Sequence, residues 1–497
     1  MKQKTFSKLV LIVVLIAVIL RLPLLGGSLW LDEAAQALES ARPLTQQFDI
    51  IADFQPPLLH LILHFVQRVS THEAWMRLWG ALIPGILTIF ISIKIAEKVF
   101  SKNVALLTGL LLALSSFHVY FSQELRPYSL PAMWAALSWW QLISLSKKSG
   151  WKSYALFIVL SWLGLFSSYL YPFLFIGQIV YVLWQKRELI KPFAASVFAT
   201  SILYLPWIPT FLRQLAEGRN VQASLPGWSD VVSIPQLKAL PLTVGKFIYG
   251  VLYIDPTPFF FLTGVVVTSL SLYITKKYLD HTPLKKALRH TAVIITWFVL
   301  PLAVAWLVSF IVPVVRPKRM LIIQPAFYMA FAYAIEWAIT QKKKILARCG
   351  YVLLTTLVLI SIVSLTGYYT NPVLQRENWK DLSTNILTRY PNDAVVVFSW
   401  VEPFAPWRWY VSSTYPTFST ESLTIETSPD LDMRLKEVAE YQYVLVFDHL
   451  RTLTDPHDVL LDRVQDFGYA QIDLFEYPGI GFVRVFARPN TTISKAQ

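Results

Sequence analysis

Long apolar runs, parted by short clusters of lysine and arginine, recur along most of this chain. A helix needs about 20 apolar residues to cross the roughly 30 Å hydrocarbon core of a bilayer. Roughly eleven stretches meet that requirement: 8–25, 75–97, 104–121, 127–146, 153–169, 170–185, 192–212, 258–275, 291–313, 320–340 and 350–367. The cations are not scattered. Lys2/Lys4/Lys8, Lys98/Lys102, Lys147/Lys148/Lys152, Lys186/Arg187/Lys191, Lys276/Lys277/Lys285/Lys286/Arg289 and Lys342/Lys343/Lys344/Arg348 fall on alternate loops. Cytoplasmic loops carry the excess of Lys and Arg, so these loops and the N-terminus are expected on the cytoplasmic side. Loops 26–74, 122–126, 213–257 and 314–319 then face outward, and an odd number of spans sends the C-terminal segment outward too.

Composition agrees. The chain has 497 residues and is 55% hydrophobic, with a mean hydropathy of +0.48. Only 15% is charged, against about 25% in soluble domains, which excludes an ordinary soluble enzyme. A net charge of +13 would suit a nucleic-acid partner if it formed one patch. Distributed between apolar runs, it serves topology instead, and no nucleic-acid partner is expected. The single cysteine, Cys349, excludes an intramolecular disulfide. Lys2, Lys4 and Lys8 before an apolar run resemble a signal peptide. No clear small-residue cleavage site follows, so this run is expected to be an uncleaved first span.

These runs predict a mainly α polytopic membrane protein with a transmembrane module over 1–367. After it the composition turns polar and mixed. Over 375–390 the pattern predicts an amphipathic helix, and over 394–399 a buried strand. Helices over 430–440 and 456–467, a strand over 443–447, and a hairpin of 472–476 with 481–487 around Tyr477-Pro478-Gly479 complete a small extracytoplasmic α/β domain, 368–497. Asn490-Thr491-Thr492 fits a glycosylation sequon, a pattern too common to weigh. Loop 26–74, long for a connection, holds helical material at 34–40 and an apolar stretch at 60–69 too short to span.

Chemistry concentrates in the outward loops. Ser28-Leu29-Trp30-Leu31-Asp32-Glu33 puts two carboxylates just beyond the first span, where charge is costly and usually has a task. The plainer account is that Asp32 caps a short helix. The chemical account is a base, since an ionised carboxylate at a helix N-terminus can take a proton from an acceptor hydroxyl. Asp53, Gln55 and His60, around Pro56-Pro57, offer oxygen and imidazole ligands, although a Pro-Pro pair also simply opens a helix. Glu124-Leu125-Arg126-Pro127-Tyr128 is either an ion pair at a helix start or a phosphate ligand, Arg126, beside a sugar or metal ligand, Glu124. Arg316-Pro317-Lys318-Arg319 places cations outside, against the positive-inside bias. Lipid headgroups account for that, and so does a pocket for a phosphate leaving group.

The order of these motifs resembles a known superfamily. Leu-Asp-Glu in the first outer loop, Gln-Pro-Pro-Leu-Leu-His after it, Ser-Gln-Glu-Leu-Arg-Pro-Tyr-Ser, and Arg319-Met320-Leu321 ahead of a late span are similar to motifs of the GT-C glycosyltransferases. The branch resembled is the family 39 and protein O-mannosyltransferase type, which includes bacterial lipopolysaccharide sugar transferases. The resemblance covers about residues 10–340 and implies a bacterial plasma-membrane enzyme. It further implies a polyprenyl-phosphate sugar donor, a lipid, glycan or protein acceptor, and inverting transfer on the outer face. Asp32 matches the position of the catalytic aspartate and Glu33 its neighbour. Gln55, His60, Glu124, Arg126, Tyr128, Arg316 and Arg319 are the expected substrate-binding residues. A divalent cation, with Glu33 or Glu124 as ligand, is compatible with this but not required. Two departures stand out: Gln55 precedes the proline pair where Glu-Lys or His is common, and Met320 replaces the usual Tyr. The rival readings are a polysaccharide polymerase or ligase, and a lipid-linked sugar transporter, whose charges would sit near the membrane midplane on broken helices.

Overall fold

A computed structural model of the chain describes residues 1–51, 53–224, 234–255, 257–390, 392–399, 404–411, 413–419 and 429–489. The sequon at Asn490 lies outside the described residues. The chain is mainly helical and divides into two units. One gathers Met1–Leu25, Leu44–Leu212 and Ser233–Leu374; the other gathers Gly26–Pro43, Arg213–Val232 and Gln375–Gln497.

The first unit is a helical bundle. Among the described residues, five helices are long and apolar enough to cross a bilayer: Glu73–Val99, Arg187–Ala223, Pro258–His281, Arg319–Ile339 and Lys344–Thr370. The pair Leu284–His290 and Ala292–Val308, bent by 64°, counts as a sixth if taken as one span. The expected eleven are not reached on that test. The runs at 8–25, 104–121, 127–146, 153–169 and 170–185 fold as helices of 17, 13, 16, 15 and 15 residues. A 15-residue helix rises about 22 Å, short of a hydrocarbon core of about 30 Å. The run at 104–121 is broken at Ser115, whose hydroxyl accepts from the His118 backbone N–H at 3.3 Å and opens a new helix, Ser116–Phe121. The fully buried Arg21 serves that break. Its guanidinium donates to the carbonyls of Leu112 and Ala113 at 3.3 and 3.1 Å, to Ala17 at 2.9 Å, and to His118 Nδ1 at 3.0 Å. Carbonyls at a helix C-terminus lack intrahelical partners, and one cation supplies them for two helices. Gln123 extends the network, donating to the Arg21 carbonyl and accepting from the Tyr368 hydroxyl, both at 2.9 Å.

Two helices of this unit each pass a proline by the same device. Leu78–Leu82 and Ile295–Val299 are π turns, followed by Pro84 and Pro301. Proline lacks an N–H and its ring crowds the carbonyl four residues back; a wider turn relieves both. Gly177, on helix Tyr171–Gln185, meets the second π turn closely, since a Cβ there would strike the Thr296 carbonyl oxygen. Trp139 stacks on Trp297 nearby, centroids 5.4 Å apart. Polar cross-links within the bundle include Tyr171 Oη to Ser138 Oγ at 2.7 Å and Gln178 Nε2 to Ser138 Oγ at 3.0 Å, the small-polar contact that holds helices where the apolar driving force between them is weak.

The second unit is built on a mixed five-stranded sheet, ordered β2 (Thr417–Ser419), β1 (Ala394–Phe398), β3 (Tyr443–Phe447), β5 (Gly481–Ala487), β4 (Ala470–Tyr477). β1 runs parallel to β2 and β3, and β5 runs antiparallel to β3 and β4. The continuous apolar run of β1 is buried on both faces. Val396 and Phe398 join Trp379, Leu382 and Ile386 on one side, while Val395 and Val397 join Leu431, Leu435 and Leu460 on the other. The expected strands at 394–399 and 443–447 and the expected hairpin are present, its turn carrying Gly479 at φ +80° and Gly481 at φ +92°. The expected outward loop from 213 is instead helical at its start, because Ile208–Ser224 continues through good helix formers such as Leu215, Ala216 and Glu217.

Candidate functional site

Leu31–Ala41 is the helix that carries the carboxylate pair. It begins one residue before Asp32, so Asp32 lies in its first turn and is not its cap. Other carboxylates cap it. Glu33 Oε2 accepts from the Trp30 N–H at 3.5 Å, and Glu377 Oε2 accepts from the Leu31 N–H at 3.2 Å. The N-cap position is thus Trp30, and the half-buried Asp32 carboxylate stands in the positive field of the helix N-terminus. Glu33 is fully buried and faces Arg376 Nε at 3.9 Å, so a cation already answers its charge.

Gly26–Pro43 belongs to the second unit, and that unit holds the segment before Asp32 closely. Tyr410 Oη accepts from the Leu29 N–H at 2.7 Å, and Ser28 Oγ accepts from the Lys380 N–H at 3.1 Å. Glu377 Oε2 also accepts from Trp379 Nε1 at 2.6 Å, and its Oε1 lies 3.8 Å from His449 Nε2. Burial pushes the Glu377 carboxyl up to about 7, and the nearby charges of Asp32 and Glu33 add to the rise. Burial pushes the His449 imidazole down to about 4. His449 Nδ1 faces the Ile480 carbonyl at 3.1 Å and must donate to it, leaving Nε2 as an acceptor. The contact is therefore not an ion pair at neutral pH but a carboxyl facing a bare imidazole nitrogen.

In the first unit, helix Leu58–Gln67 starts directly after Pro56-Pro57, as the proline pair predicts. His60, in its first turn, is fully buried with Nε2 at 2.8 Å from Asp53 Oδ2. The Gln55 amide donates to the same Asp53 oxygen and lies 3.1 Å from His60 Nε2. Arg126 reaches Asp53 Oδ1 at 3.3 Å. Burial alone would raise the Asp53 pKa; the Arg126 charge and the bonds from His60 and Gln55 prevail and hold it at about 2. Glu124 and Tyr128 are buried beside Arg126 in sequence, and the Tyr128 ring carries Lys318 Nζ at 5.4 Å. Arg319 donates to the Pro313 carbonyl at 3.2 Å, and Arg316 is half-buried. Asp53, Gln55, His60 and Arg126 thus form one contact cluster. The 316–319 turn meets the 124–128 turn through Lys318 and Tyr128, and Asp32 and Glu33 are built into the other unit. A carboxylate oxygen and an imidazole nitrogen suit a divalent cation, and Asp53 with His60 fit one better than Glu33, which Arg376 faces.

Sequence reasoning did not find Arg376, Glu377, Tyr410 or His449. The run Arg376-Glu377-Asn378-Trp379 just beyond the last apolar stretch was the available signal, since it places adjacent charges beside a span end as Asp32-Glu33 does after the first span.

A family model described as dolichyl-phosphate-mannose-protein mannosyltransferase matches residues 54–209, which include Gln55, His60, Glu124, Arg126 and Tyr128. No curated protein sequence matches the chain. Among solved structures, ArnT from Cupriavidus metallidurans in the apo state superposes with a TM-score of 0.58 at 12% identity, over 97% of this chain and 98% of that one. The same protein bound to undecaprenyl phosphate gives 0.56 at 11% identity, over 98% of both. The Archaeoglobus fulgidus oligosaccharyltransferase tethered with an acceptor peptide gives 0.55 at 12%, over 99% of this chain and 74% of that one. A structure of that oligosaccharyltransferase with zinc and sulfate also matches. Across nearly the whole chain the fold is the one that these solved structures share.

Proposed function

We propose that this chain is a membrane glycosyltransferase that moves a sugar from a polyprenyl-phosphate donor to a lipid, glycan or protein acceptor. Transfer takes place on the extracytoplasmic face with inversion. The GT-C fold over almost the full length supports the reaction class. The observation that carries the mechanism is Asp32 in the first turn of a helix that other carboxylates cap. Asp32 is the general base. It takes the proton of the acceptor hydroxyl as that oxygen attacks the anomeric carbon, and the bond from that carbon to the phosphate oxygen breaks. The lipid phosphate leaves as an anion paired with Arg126, Arg316 and Arg319, and the proton on Asp32 passes to water. One base suffices for inversion, unlike the two carboxylates of glycoside hydrolysis. Gln55, His60, Glu124 and Tyr128 contact the donor. Where a divalent cation takes part, Asp53 and His60 hold it, and it supplies positive charge for the departing phosphate. The eleven apolar runs all act as membrane segments, with the N-terminus cytoplasmic, in a bacterial plasma membrane.

Asp32→Asn tests this. Asn has nearly the shape of Asp, and position 32 lies inside the helix after its N-cap Trp30, so folding and donor binding are kept while basicity is lost. Transfer from undecaprenyl-phosphate hexoses and pentoses is expected to fall about 10²–10⁴-fold, the usual contribution of a general base. Arg319→Ala should instead weaken donor binding by about 1.5–3 kcal/mol, the worth of a hydrogen bond to a charged group. Near-normal turnover in folded Asp32→Asn protein overturns the mechanism and favours a polymerase or carrier.

A further inference from the structure

Three hydrogen bonds hold three of the four residues ahead of Asp32, and all of them reach into the C-terminal part of the chain. Tyr410 Oη takes the Leu29 N–H at 2.7 Å, Glu377 Oε2 takes the Leu31 N–H at 3.2 Å, and Ser28 Oγ takes the Lys380 N–H at 3.1 Å. Leu31 also packs against the apolar cluster around Trp379, Phe404 and Val396. Glu377 is itself fixed by Trp379 Nε1 at 2.6 Å, on an indole that is fully buried and stacks on Phe447 of the sheet, 5.7 Å away. A rigid chain of contacts therefore runs from β3 through Trp379 and Glu377 to the backbone amide next to Asp32.

Resting on the reading of Asp32 as the base, we propose that Glu377 is a positioning residue for it, with Tyr410 as its partner, and that the C-terminal domain serves catalysis by holding this segment in register. A base must stand within about 0.5 Å of its productive place, and a displacement of about 1 Å costs on the order of 10²-fold in rate. Position, not charge, is what Glu377 contributes: its acceptor oxygen meets backbone and indole donors. Gln in its place keeps an acceptor oxygen, and Leu does not.

The test uses the full-length protein in detergent or nanodiscs, with undecaprenyl-phosphate glucose, mannose, galactose and aminoarabinose as donor probes, and amide hydrogen exchange read over residues 29–35. Glu377→Leu is expected to lower kcat at least 10-fold with donor KM unchanged and to speed exchange over 29–35. Tyr410→Phe, which removes one oxygen only, should do the same to a smaller degree, and Glu377→Gln should retain most of both properties. In the Asp32→Asn background Glu377→Leu should cause no further loss, because a positioning residue has nothing left to position. Unchanged exchange over 29–35 in Glu377→Leu and Tyr410→Phe overturns the proposal whether or not a probe is turned over. So does an equal fall in both Asp32 backgrounds, which marks a general structural defect. Full turnover by Asp32→Asn overturns the underlying reading. An inactive Asp32→Asn beside fully active Glu377→Leu and Tyr410→Phe overturns the positioning role alone.

Discussion

A carboxyl kept neutral up to about pH 7 in the folded protein binds a proton that the unfolded chain, with a glutamate pKa of about 4.3, has already released. Glu377 is such a group. Between those two values the native state holds more protons, so stability falls as pH rises through the window. The melting temperature of the wild type should drop from pH 5 to pH 8, and Glu377→Gln should remove a resolved part of that drop, as differential scanning calorimetry in one detergent would measure. An equal drop in the variant would show that the carboxyl is not the group responsible. Asp53 behaves oppositely. Held at about 2 by Arg126 and its hydrogen bonds, it contributes stability that is present above about pH 4 and lost on acidification. Neither shift was legible in the sequence. A carboxylate's neighbours decide its proton, and Arg126 is 73 residues from Asp53 while Leu31 is 346 from Glu377.

Helices and strands were more legible, and the failures have identifiable causes. β1 and β3 are short runs of β-branched and aromatic residues, and the hairpin turn announced itself through Pro478-Gly479. β2 has three residues, Thr417–Ser419, too few to show a period, and it pairs only because β1 offers it an edge. The break at Ser115 was hidden because serine in an apolar run does not by itself end a helix; the buried Arg21, 94 positions earlier, takes the carbonyls that the break exposes. The π turns were equally silent, yet the second of them sets a close helix contact. Gly177 faces a backbone carbonyl in the second of them, and backbone cannot rotate away as a side chain would. Gly177→Ala should therefore destabilise the bundle by about 1–3 kcal/mol, the usual cost of overpacking, against a gain of about 1 kcal/mol at most from helix propensity. Thermal unfolding followed by circular dichroism would check the sign; a stabilised variant would place the two helices farther apart than described.

At the scale of the whole molecule, the alternating cation clusters make a prediction that span counting on helix length does not. In a Cys349→Ser background, Gln465→Cys should react with a membrane-impermeant maleimide in intact cells. Lys148→Cys should react only after the membrane is opened. Both sites are exposed, so labelling of both from one side would remove the odd count of segments between them. What no local reading of the chain could deliver is the membership of Gly26–Pro43. It precedes almost every membrane helix in sequence and folds with residues that follow the last of them. That arrangement has a meaning in time. Synthesis proceeds at about 5–20 residues per second, and 346 residues separate Leu31 from Glu377. The segment bearing Asp32 therefore emerges about 17–70 s before the residues that hold it are made. Until then the segment bearing Asp32 lacks the residues that hold it, and the ribosome must nearly finish the protein before Leu31 meets Glu377.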